Sequence, residues 1–489
     1  MLGRLNDLIR IQSALLYMLA AGMGIPLVLA FAYGEKAALI AFAEVIAICA
    51  VISTGIRVFI KPAESRLKLR DGFFVVSVSW LVCSLVGCLP FIMSGSIPSF
   101  ADAFFESCSG FSTTGASILT DIEALPRSIL FWRSFTHWLG GLGIVLIVIA
   151  LLPVLGLSGQ IAAFAETPGP TKDKLTPRFS DTAKNLCKIY LIFTFAEVIL
   201  LKIGGMSFYD AFIHTFGTVG TGGFSNYNDS VGHFDSVYIQ IVIIVFMLLA
   251  GMNFNLFFLA RKRGTAYLFN DEEFRFYAVV VGVSSLLVFA VNSFYNHFAG
   301  IGKTLLDSVF QVVSIITTTG YSTADYDVWP TFAKMVILCL FFFGACSSST
   351  SGGVKCVRIL ICFKLIKRSL SLRIHPNRIA PVTLNDAELH TDTVIKVTGF
   401  LLTYIVLIFA GTLLLAINGF DFISSFSAAA TCLGNIGPGF NLVGPTLNFS
   451  IFSDFSKFVC SFLMITGRLE LFTVLILFSK FYWNSNKAK

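Results

Sequence analysis

Long apolar runs separated by short polar segments dominate the pattern along the chain. The runs are about 18 to 27 residues long, which is too long for ordinary β-strands and suits α-helices that cross a bilayer. The first run, 11–33, has no small-residue cleavage site and is followed directly by a second run, so we expect a retained helix and not a signal peptide. The pattern therefore predicts an all-α fold of membrane-spanning helices.

The composition indicates a chain that is surrounded by lipid. Hydrophobic residues fill 56% and charged residues 13% of the 489 positions, whereas soluble proteins carry roughly 25% charged residues. Mean hydropathy is +0.81. The 11 Cys residues lie mostly within apolar runs and form no CxxC pair, so we interpret them as packing residues. Together these features predict a polytopic membrane protein.

The placement of the basic residues predicts the topology. Of the 35 Lys and Arg residues, 26 lie in six short segments next to apolar runs. These segments are the two termini and 57–70, 172–188, 261–275 and 355–378. Because basic flanks of membrane helices remain in the cytoplasm, both termini are expected inside. Because membrane topology accounts for these basic segments, they do not indicate a nucleic-acid partner.

With these segments inside, the runs form a helix hairpin and four further units. Each unit is expected to hold an outward helix, an external re-entrant stretch and a return helix, which gives ten spans in all. The outward helices are predicted over 73–93, 186–204, 276–298 and 394–417, and the return helices over 129–153, 236–260, 331–366 and 455–480. The predicted divisions are the hairpin 1–70 and the repeats 71–160, 161–265, 266–378 and 379–489.

The four re-entrant stretches carry a repeated motif. In each, an Asp or Ser is followed 13 residues later by a Gly that ends a tripeptide. The first residues are Asp102, Asp210, Asp307 and Ser424, and the tripeptides are Thr113-Thr114-Gly115, Thr221-Gly222-Gly223, Thr318-Thr319-Gly320 and Asn435-Ile436-Gly437. A constant spacing of this kind indicates four copies of one structural unit.

We interpret each copy as a short helix, capped by the Asp or Ser, that leads into an extended segment. Non-helical backbone at membrane depth must be buried by protein or line water, and Gly lets successive carbonyls face one side. Four such segments around one axis would present carbonyl oxygens that replace the hydration shell of a monovalent cation. Tight turns between hairpin helices are the alternative, but they leave the spacing unexplained. The sequence thus predicts four pseudo-symmetric helix–pore loop–helix repeats around a central ion pore.

The loop sequences resemble the superfamily of K⁺ transporters that comprises bacterial Trk and Ktr and plant HKT proteins. The resemblance covers essentially the whole chain, and the N-terminal hairpin is typical of Trk membrane subunits rather than of the shorter Ktr subunits. It is carried by 111–117, 220–225, 317–322 and 433–439. The resemblance implies that the four tripeptides form a K⁺ selectivity filter whose glycines are Gly115, Gly223, Gly320 and Gly437.

This filter implies a preference for K⁺, with Rb⁺ accepted, because the resemblance associates four glycines with K⁺ and a Ser in the first loop with Na⁺. Gly222 stands where a symmetric filter has Thr, and Asn435 and Ile436 replace a Thr pair. We therefore expect a looser filter with moderate discrimination between K⁺ and Na⁺.

A second candidate site lies in the third return helix. Residues 344–353 are small, and the apolar block 331–343 before them is too short to cross the bilayer, so the run is expected at membrane depth. There it forms either close helix contacts or an unwound loop. Arg468, in the last helix, is expected to face the interior, in the pore or in an ion pair with Glu470 or another carboxylate. The resemblance implies a gate formed by Arg468 with Gly344, Ser347, Ser348, Ser349, Gly352 and Gly353.

Other charged residues are weaker candidates. Six external carboxylates would concentrate cations at the mouth of the pore, with solvated loop residues or helix caps as the alternative, namely Asp121, Glu123, Asp229, Asp235, Asp325 and Asp327. Glu106 is expected to anchor the filter through hydrogen bonds. Within the spans, Glu44 and Glu197 are candidates for coupling-ion or structural roles. His137, beside Trp138, is interpreted as structural.

The sequence holds no nucleotide-binding motif and no His/Cys metal cluster. We therefore expect no enzyme activity and no nucleotide bound by this chain; a membrane enzyme, the rival class, would need convergent acid, base or metal ligands. The resemblance implies K⁺ uptake across the bacterial inner membrane, a homodimer, and gating by a cytosolic nucleotide-binding partner of the TrkA type, for which 355–378 is a candidate docking surface. A Na⁺-permeable, K⁺/H⁺ or K⁺/Na⁺ transporter on the same scaffold is the alternative.

Overall fold

The computed structural model describes residues 2–63, 69–143, 179–295 and 300–483. This part is mostly helical, and its only strands are β1 (Thr383–Leu384) and β2 (Ala387–Glu388), which pair antiparallel. Five of its helices are long and apolar enough to cross a membrane, namely Leu5–Tyr33, Lys36–Phe59, Arg70–Met93, Glu272–Phe294 and Thr391–Ala416. The predicted all-α polytopic membrane fold is confirmed.

The described helices, in chain order, are α1 (Leu2–Tyr33), α2 (Lys36–Phe59), α3 (Leu69–Met93), α4 (Phe100–Phe111), α5 (Arg127–Gly141), α6 (Phe179–Ile203), α7 (Phe208–Val219), α8 (Val237–Gly251), α9 (Phe254–Arg263), α10 (Ala266–Asn270), α11 (Glu272–Phe294), α12 (Ile301–Ile316), α13 (Thr331–Leu340), α14 (Cys356–Ile374), α15 (Thr391–Ala416), α16 (Phe422–Gly434), α17 (Asp454–Arg468), α18 (Phe472–Leu475) and α19 (Lys480–Trp483). Helices α1 and α2 pack as a hairpin, since Leu15, Leu19 and Met23 recur on one buried face of α1. The outward helices are α3, α6, α11 and α15.

The short helices α4, α7, α12 and α16 converge at the centre of the molecule. Every residue of 103–111, 213–219, 310–316 and 427–434 is buried, so the carboxyl-terminal half of each short helix lies inside protein. Each short helix is followed by one of the four tripeptides within two residues of its end. The core therefore surrounds the segments that carry the repeated motif.

The predicted caps of the short helices are wrong by three residues in three repeats. The side chains of Ser99, Ser207 and Asp421 accept hydrogen bonds from the backbone N–H groups of Asp102, Asp210 and Ser424, which lie in the first turns. An N-cap side chain satisfies the N–H group two or three residues further on, and the repeated residue occupies that inner position.

The third short helix departs from this arrangement. Helix α12 begins after Gly300, so Asp307 is not a cap but lies buried in its second turn. There the carboxylate accepts a hydrogen bond from the Thr323 hydroxyl at 2.9 Å. The predicted cap at Asp307 is therefore wrong, and the residue instead holds the loop that follows the third tripeptide.

The return helices are broken more often than the sequence indicates. The third was predicted to break, and α13 and α14 are indeed separated by a non-helical stretch. The second and fourth also break: α8 meets α9 at 86°, and α17 meets the segment Phe472–Phe478 at 110°. The prediction of ten spans with a single broken return helix is therefore too simple. The second half of the first return helix, 144–153, lies outside the described residues.

Candidate cation pathway

The four tripeptides share one backbone conformation, although their sequences differ. In each, the first residue and the final Gly have positive φ angles. The first residues are Thr113 (55°), Thr221 (54°), Thr318 (57°) and Asn435 (53°), and the glycines are Gly115 (81°), Gly223 (77°), Gly320 (81°) and Gly437 (100°). A β-branched residue rarely adopts this region, at a cost of about 1–3 kcal/mol. The surrounding structure therefore imposes the same strained conformation four times.

These tripeptides are named loops 1 to 4 from here on, and they close into a ring. A Cβ atom placed on Gly115 would lie 2.1 Å from the Gly222 carbonyl oxygen, and one on Gly223 would lie 2.1 Å from that of Thr319. Likewise, a Cβ atom on Gly320 would lie 2.2 Å from the Ile436 carbonyl oxygen. A Cβ atom on Gly437 would lie 2.7 Å from the Thr114 carbonyl oxygen, which closes the series. Each glycine thus contacts a backbone carbonyl of the next loop, and the fourth loop contacts the first.

One side of the ring opens into a cavity. All four ring glycines line this cavity together, with segments that follow each loop, such as 116–122, 224–230 and 443–449. The other loop residues, including Thr114, Thr221, Thr319 and Asn435, are fully buried. The helices α4, α7, α12 and α16 end directly before the loops, so their partially negative carbonyl ends lie next to the ring. The ring thus combines backbone carbonyl oxygens with the partial negative charge of four helix ends.

Loop 1 is anchored by a buried carboxylate. Glu106, 1% exposed, accepts hydrogen bonds from the Ser117 hydroxyl and the Ile118 N–H, both at 3.0 Å. The Arg133 Nε atom donates to it at 2.5 Å, and Arg133 also donates to the Ser225 carbonyl at 2.9 Å. The predicted anchoring of the loop through hydrogen bonds to Glu106 is confirmed, and Arg133 extends the anchor to the segment after loop 2.

The 344–353 segment packs against the first residues of loops 3 and 4. The Gly352 N–H donates to the Thr318 hydroxyl at 2.7 Å, and a Cβ atom on Gly352 would lie 2.7 Å from the Gly434 carbonyl oxygen. Gly344 and Gly353 pack against each other at the two ends of the segment. The Ser349 hydroxyl donates to the Cys346 carbonyl at 2.5 Å. The run is thus an internally bonded loop and not a close helix contact.

Arg468 joins this segment to the first return helix. Its guanidinium donates to the Thr350 carbonyl at 2.6 Å and to the carbonyls of Gly140 and Gly141 at 2.5 and 3.0 Å. Glu470, the considered ion-pair partner, is instead paired with Arg358. The structure therefore brings Arg468 together with the 344–353 segment.

Glu273 is a residue of this region that sequence reasoning missed. Its carboxylate, at the start of α11, accepts from the Ser347 N–H and hydroxyl, both at 2.6 Å, and from the Val357 N–H at 3.2 Å. On the other edge, the Ser348 carbonyl accepts from the Phe254 N–H at 3.2 Å. The only sequence signal was an acidic residue next to an apolar helix, and its partners are distant in sequence.

Two basic residues of the candidate docking surface are not available for docking. Lys355 and Arg358 are only 3% and 6% exposed. Lys355 donates to the Ser351 hydroxyl at 3.1 Å, and Arg358 lies over the Phe400 ring. The exposed basic residues of the surface are further along α14 and beyond it, namely Lys367, Arg368, Arg373 and Arg378.

Two of the external carboxylates, Asp121 and Asp327, join their loops to other external loops. Asp121 accepts from the Asn228 side chain at 3.1 Å, and Asp327 accepts from the Asn441 N–H at 2.7 Å. Burial raises the pKa of Asp421, but hydrogen bonds from Ser424 and Asn441 outweigh it and hold the pKa below its usual value. Of the two carboxylates within spans, Glu44 is exposed and Glu197 is fully buried.

The fold and the ring together define an integral membrane protein of the cation-transport class. The chain belongs to the TrkH family of cation transport proteins, whose family model matches residues 38–487. The Trk system potassium uptake protein TrkH of Escherichia coli K12 is 37% identical over 477 residues, covering 97% of this chain and 98% of that protein. TrkG of the same strain, another Trk system potassium uptake protein, is 35% identical, covering 96% of this chain and 97% of that protein.

A solved structure is also similar. The crystal structure of the potassium transporter TrkH from Vibrio parahaemolyticus matches with a TM-score of 0.88 and 34% sequence identity. The match covers 98% of this chain and 100% of that one. The likeness therefore extends over the hairpin and all four units.

Proposed function

We propose that this chain takes up K⁺ across the bacterial inner membrane through the ring formed by loops 1 to 4. The observation that carries the proposal is the closed series of glycine-to-carbonyl contacts from each loop to the next. A ring of backbone carbonyls replaces the hydration shell of a monovalent cation. Its relatives named as potassium uptake proteins support K⁺ as the cation.

The 344–353 segment and Arg468 form the gate of this pathway. The segment lies against loops 3 and 4, and a cation that leaves the ring meets the fixed positive charge of Arg468. Opening requires the hydrogen bonds that the Thr350 carbonyl, the Thr318 hydroxyl and the Glu273 carboxylate accept to break or shift. In this arrangement the pathway is closed, and a second component opens it.

The opening component is a cytosolic nucleotide-binding partner of the TrkA type, acting on a homodimer of this chain with both termini in the cytoplasm. Two groups of exposed basic residues support a docking role on one side of the membrane. They are Arg261, Lys262 and Arg263 at the end of α9, and Lys367, Arg368, Arg373 and Arg378 on and after α14. Helix α9 is attached to the gate through Phe254 and Ser348.

The direct test of the filter is uptake of radioactive Rb⁺ by proteoliposomes loaded with K⁺, with and without the TrkA-type partner. External K⁺ is expected to block uptake and external Na⁺ to block it weakly. In the Gly115→Ser variant the added Cβ atom would lie 2.1 Å from the Gly222 carbonyl oxygen, so total uptake is expected to fall and Na⁺ to compete more strongly with the uptake that remains. Equal competition by the two ions in the unchanged chain would exclude K⁺ selectivity, and no uptake even with the partner would exclude the transport function.

The gate is tested without the partner. Replacing Glu273 by Gln removes one acceptor oxygen from a site that binds Ser347 twice and Val357 once, so the segment is expected to loosen and partner-free Rb⁺ uptake to rise several-fold, roughly 3- to 10-fold. Glu272→Gln is the matched control, because Glu272 precedes it on the same helix and pairs with Lys364. Equal uptake by both variants would contradict the gate.

A further inference from the structure

Loop 2 lacks the side chains that support loops 1 and 3. Ser112 and Thr317 directly precede loops 1 and 3. The Ser112 hydroxyl lies 2.7 Å from that of Thr114 in loop 1, and the Thr317 hydroxyl lies 2.8 Å from that of Thr319 in loop 3. The equivalent residues of loop 2 are Gly220 and Gly222. Its backbone nevertheless has the conformation of the other loops. Something other than its own side chains must therefore support loop 2 from behind.

The imidazole of His137, on α5, occupies that space. A Cβ atom on Gly222 would lie 2.3 to 2.5 Å from three ring atoms, Cγ, Cδ2 and Nδ1. A Cβ atom on Gly220 would lie 2.7 Å from the His137 carbonyl oxygen. Gly222 has no positive φ angle, so its backbone conformation alone would permit a side chain. The glycine is required because the histidine is there.

The imidazole is itself held in place from two directions. Its Nδ1 atom lies 2.7 Å from the Gly110 carbonyl oxygen near the end of α4. Its ring centroid lies 4.0 Å from that of Phe224, which directly follows Gly223. The Arg133 guanidinium lies over Phe224, 3.5 Å from the ring centroid. His137 therefore contacts loop 2 on both sides of its ring glycine and is fully buried.

We infer that His137 is a positioning residue that determines ion specificity by replacing the missing side chain of loop 2. The Gly222 carbonyl is the group that Gly115 contacts in the ring, and the imidazole lies directly behind the Gly222 Cα atom. It thereby fixes how far this carbonyl reaches towards the cation, on which discrimination between K⁺ and Na⁺ depends. The inference rests on the proposed K⁺ uptake through the ring.

The test is a double-mutant cycle of His137→Ala and Gly222→Ala, read out as Rb⁺ uptake and as the ratio of Na⁺ to K⁺ needed for half-maximal competition. Gly222→Ala alone forces its methyl group into the imidazole and is expected to lower uptake about tenfold or more. His137→Ala alone empties the space, so uptake remains but the Na⁺/K⁺ ratio falls roughly 3- to 10-fold. The double variant restores most of the uptake, since the methyl group then has room.

Gly115→Ala is the matched control for the cycle. Its methyl group would meet the Gly222 backbone and not the imidazole, so His137→Ala is expected to give no rescue. Rescue of both glycine variants, or of neither, would overturn the inference. So would an unchanged competition ratio in His137→Ala, because a merely structural histidine would alter the amount of protein but not the ratio.

The unchanged chain separates this inference from the proposed function. If it shows no K⁺-selective uptake, the proposed function fails; if it is selective and the cycle shows no coupling, only the role of His137 fails. Insertion is measured by the amount of monodisperse protein recovered from membranes. If His137→Ala does not insert, His137→Asn is used in the same cycle, and failure of both to insert would contradict a role confined to specificity.

Discussion

Loops 1 and 3 differ from loops 2 and 4 in the side chains that pack against their backbone. In loops 1 and 3 a pair of hydroxyls, two residues apart, lies against the backbone. In loop 2 an imidazole from another helix takes this place, and in loop 4 the side chain of Ile436 packs against Gly434. The φ angles of the four loops are nevertheless almost the same. One backbone conformation is therefore maintained by three different kinds of support.

The difference shows where symmetry is required and where it is not. In the proposed pathway the cation is surrounded by backbone oxygens, so the backbone conformation must repeat in every loop. The groups behind the backbone only need to fill space and satisfy polar atoms, and unrelated side chains can do so. We expect substitutions of the shared glycines to have larger effects than substitutions of the supports, which should differ from loop to loop.

Gly320→Ala breaks the feature that all four loops share, so its effect should be the largest. The added methyl group would lie 2.2 Å from the Ile436 carbonyl oxygen on a residue whose φ angle is 81°. The methyl group would clash with the backbone of loop 4, and an alanine is strained at this φ angle. We therefore expect Rb⁺ uptake to fall about 100-fold or more. Gly232→Ala is the control, since its nearest neighbour would lie at an ordinary 3.5 Å. Comparable uptake by the two variants would show that the ring is not the pathway.

Asn435→Ala tests the contact that joins loop 4 to loop 1. The Asn435 side chain donates to the Thr114 hydroxyl at 3.0 Å and to the Met464 carbonyl at 2.9 Å, all within buried surroundings. Losing both bonds is expected to cost about 2 kcal/mol and to lower the Na⁺/K⁺ competition ratio roughly tenfold.

Asn385→Ala controls for this change. Asn385 has a similar φ angle, 49° against 53°, but lies in an exposed turn between β1 and β2. Both variants lose an asparagine from a left-handed conformation and two side-chain hydrogen bonds. Those of Asn385 join Asp271 and Glu272, far from the ring, whereas one of those of Asn435 joins loop 1. If both variants keep the selectivity of the unchanged chain, loop 4 does not depend on loop 1.

Much of this organisation could be predicted from sequence, because it rests on local signals. The 13-residue spacing and the apolar runs indicate four helix–loop units, and the structure places their loops side by side. The caps were misplaced because in three repeats the N-cap residue lies three positions before the repeated Asp or Ser. The breaks after α8 and α17 have no run of small residues to mark them.

The supports of the ring could not be predicted, because they depend on contacts between distant segments. His137 is 85 residues from Gly222, and a lone histidine beside a tryptophan indicates nothing about a loop in the next repeat. Glu273 likewise holds Ser347 and Val357 from another helix. The glycine at position 222 was visible as a departure from the repeat, but the reason for it lies in the packing of α5.

Thr317→Val sharpens the comparison within the hydroxyl-supported loops. The Thr319 hydroxyl is 2.8 Å from that of Thr317, and the substitution removes this partner without changing the shape of the side chain. Leaving a buried hydroxyl without its partner costs about 1 kcal/mol or more, so we expect the Na⁺/K⁺ competition ratio to fall roughly fivefold. Thr412→Val removes a buried hydroxyl bonded to Ile408 within α15 and serves as the control. A fall of the same size in both variants would mean that selectivity only follows overall stability.

Ser112→Ala should have the smallest effect, although it breaks the equivalent pair in loop 1. After the substitution, Thr114 still accepts the hydrogen bond from the Asn435 side chain at 3.0 Å, so its hydroxyl is not left without a partner. We expect a change in the competition ratio of about twofold or less. The prediction is checked by combining Ser112→Ala with Asn435→Ala: loss of both partners should lower the ratio by more than the product of the single effects. If the effects simply multiply, the two partners act independently, and the asymmetry between loops 1 and 3 would need another cause.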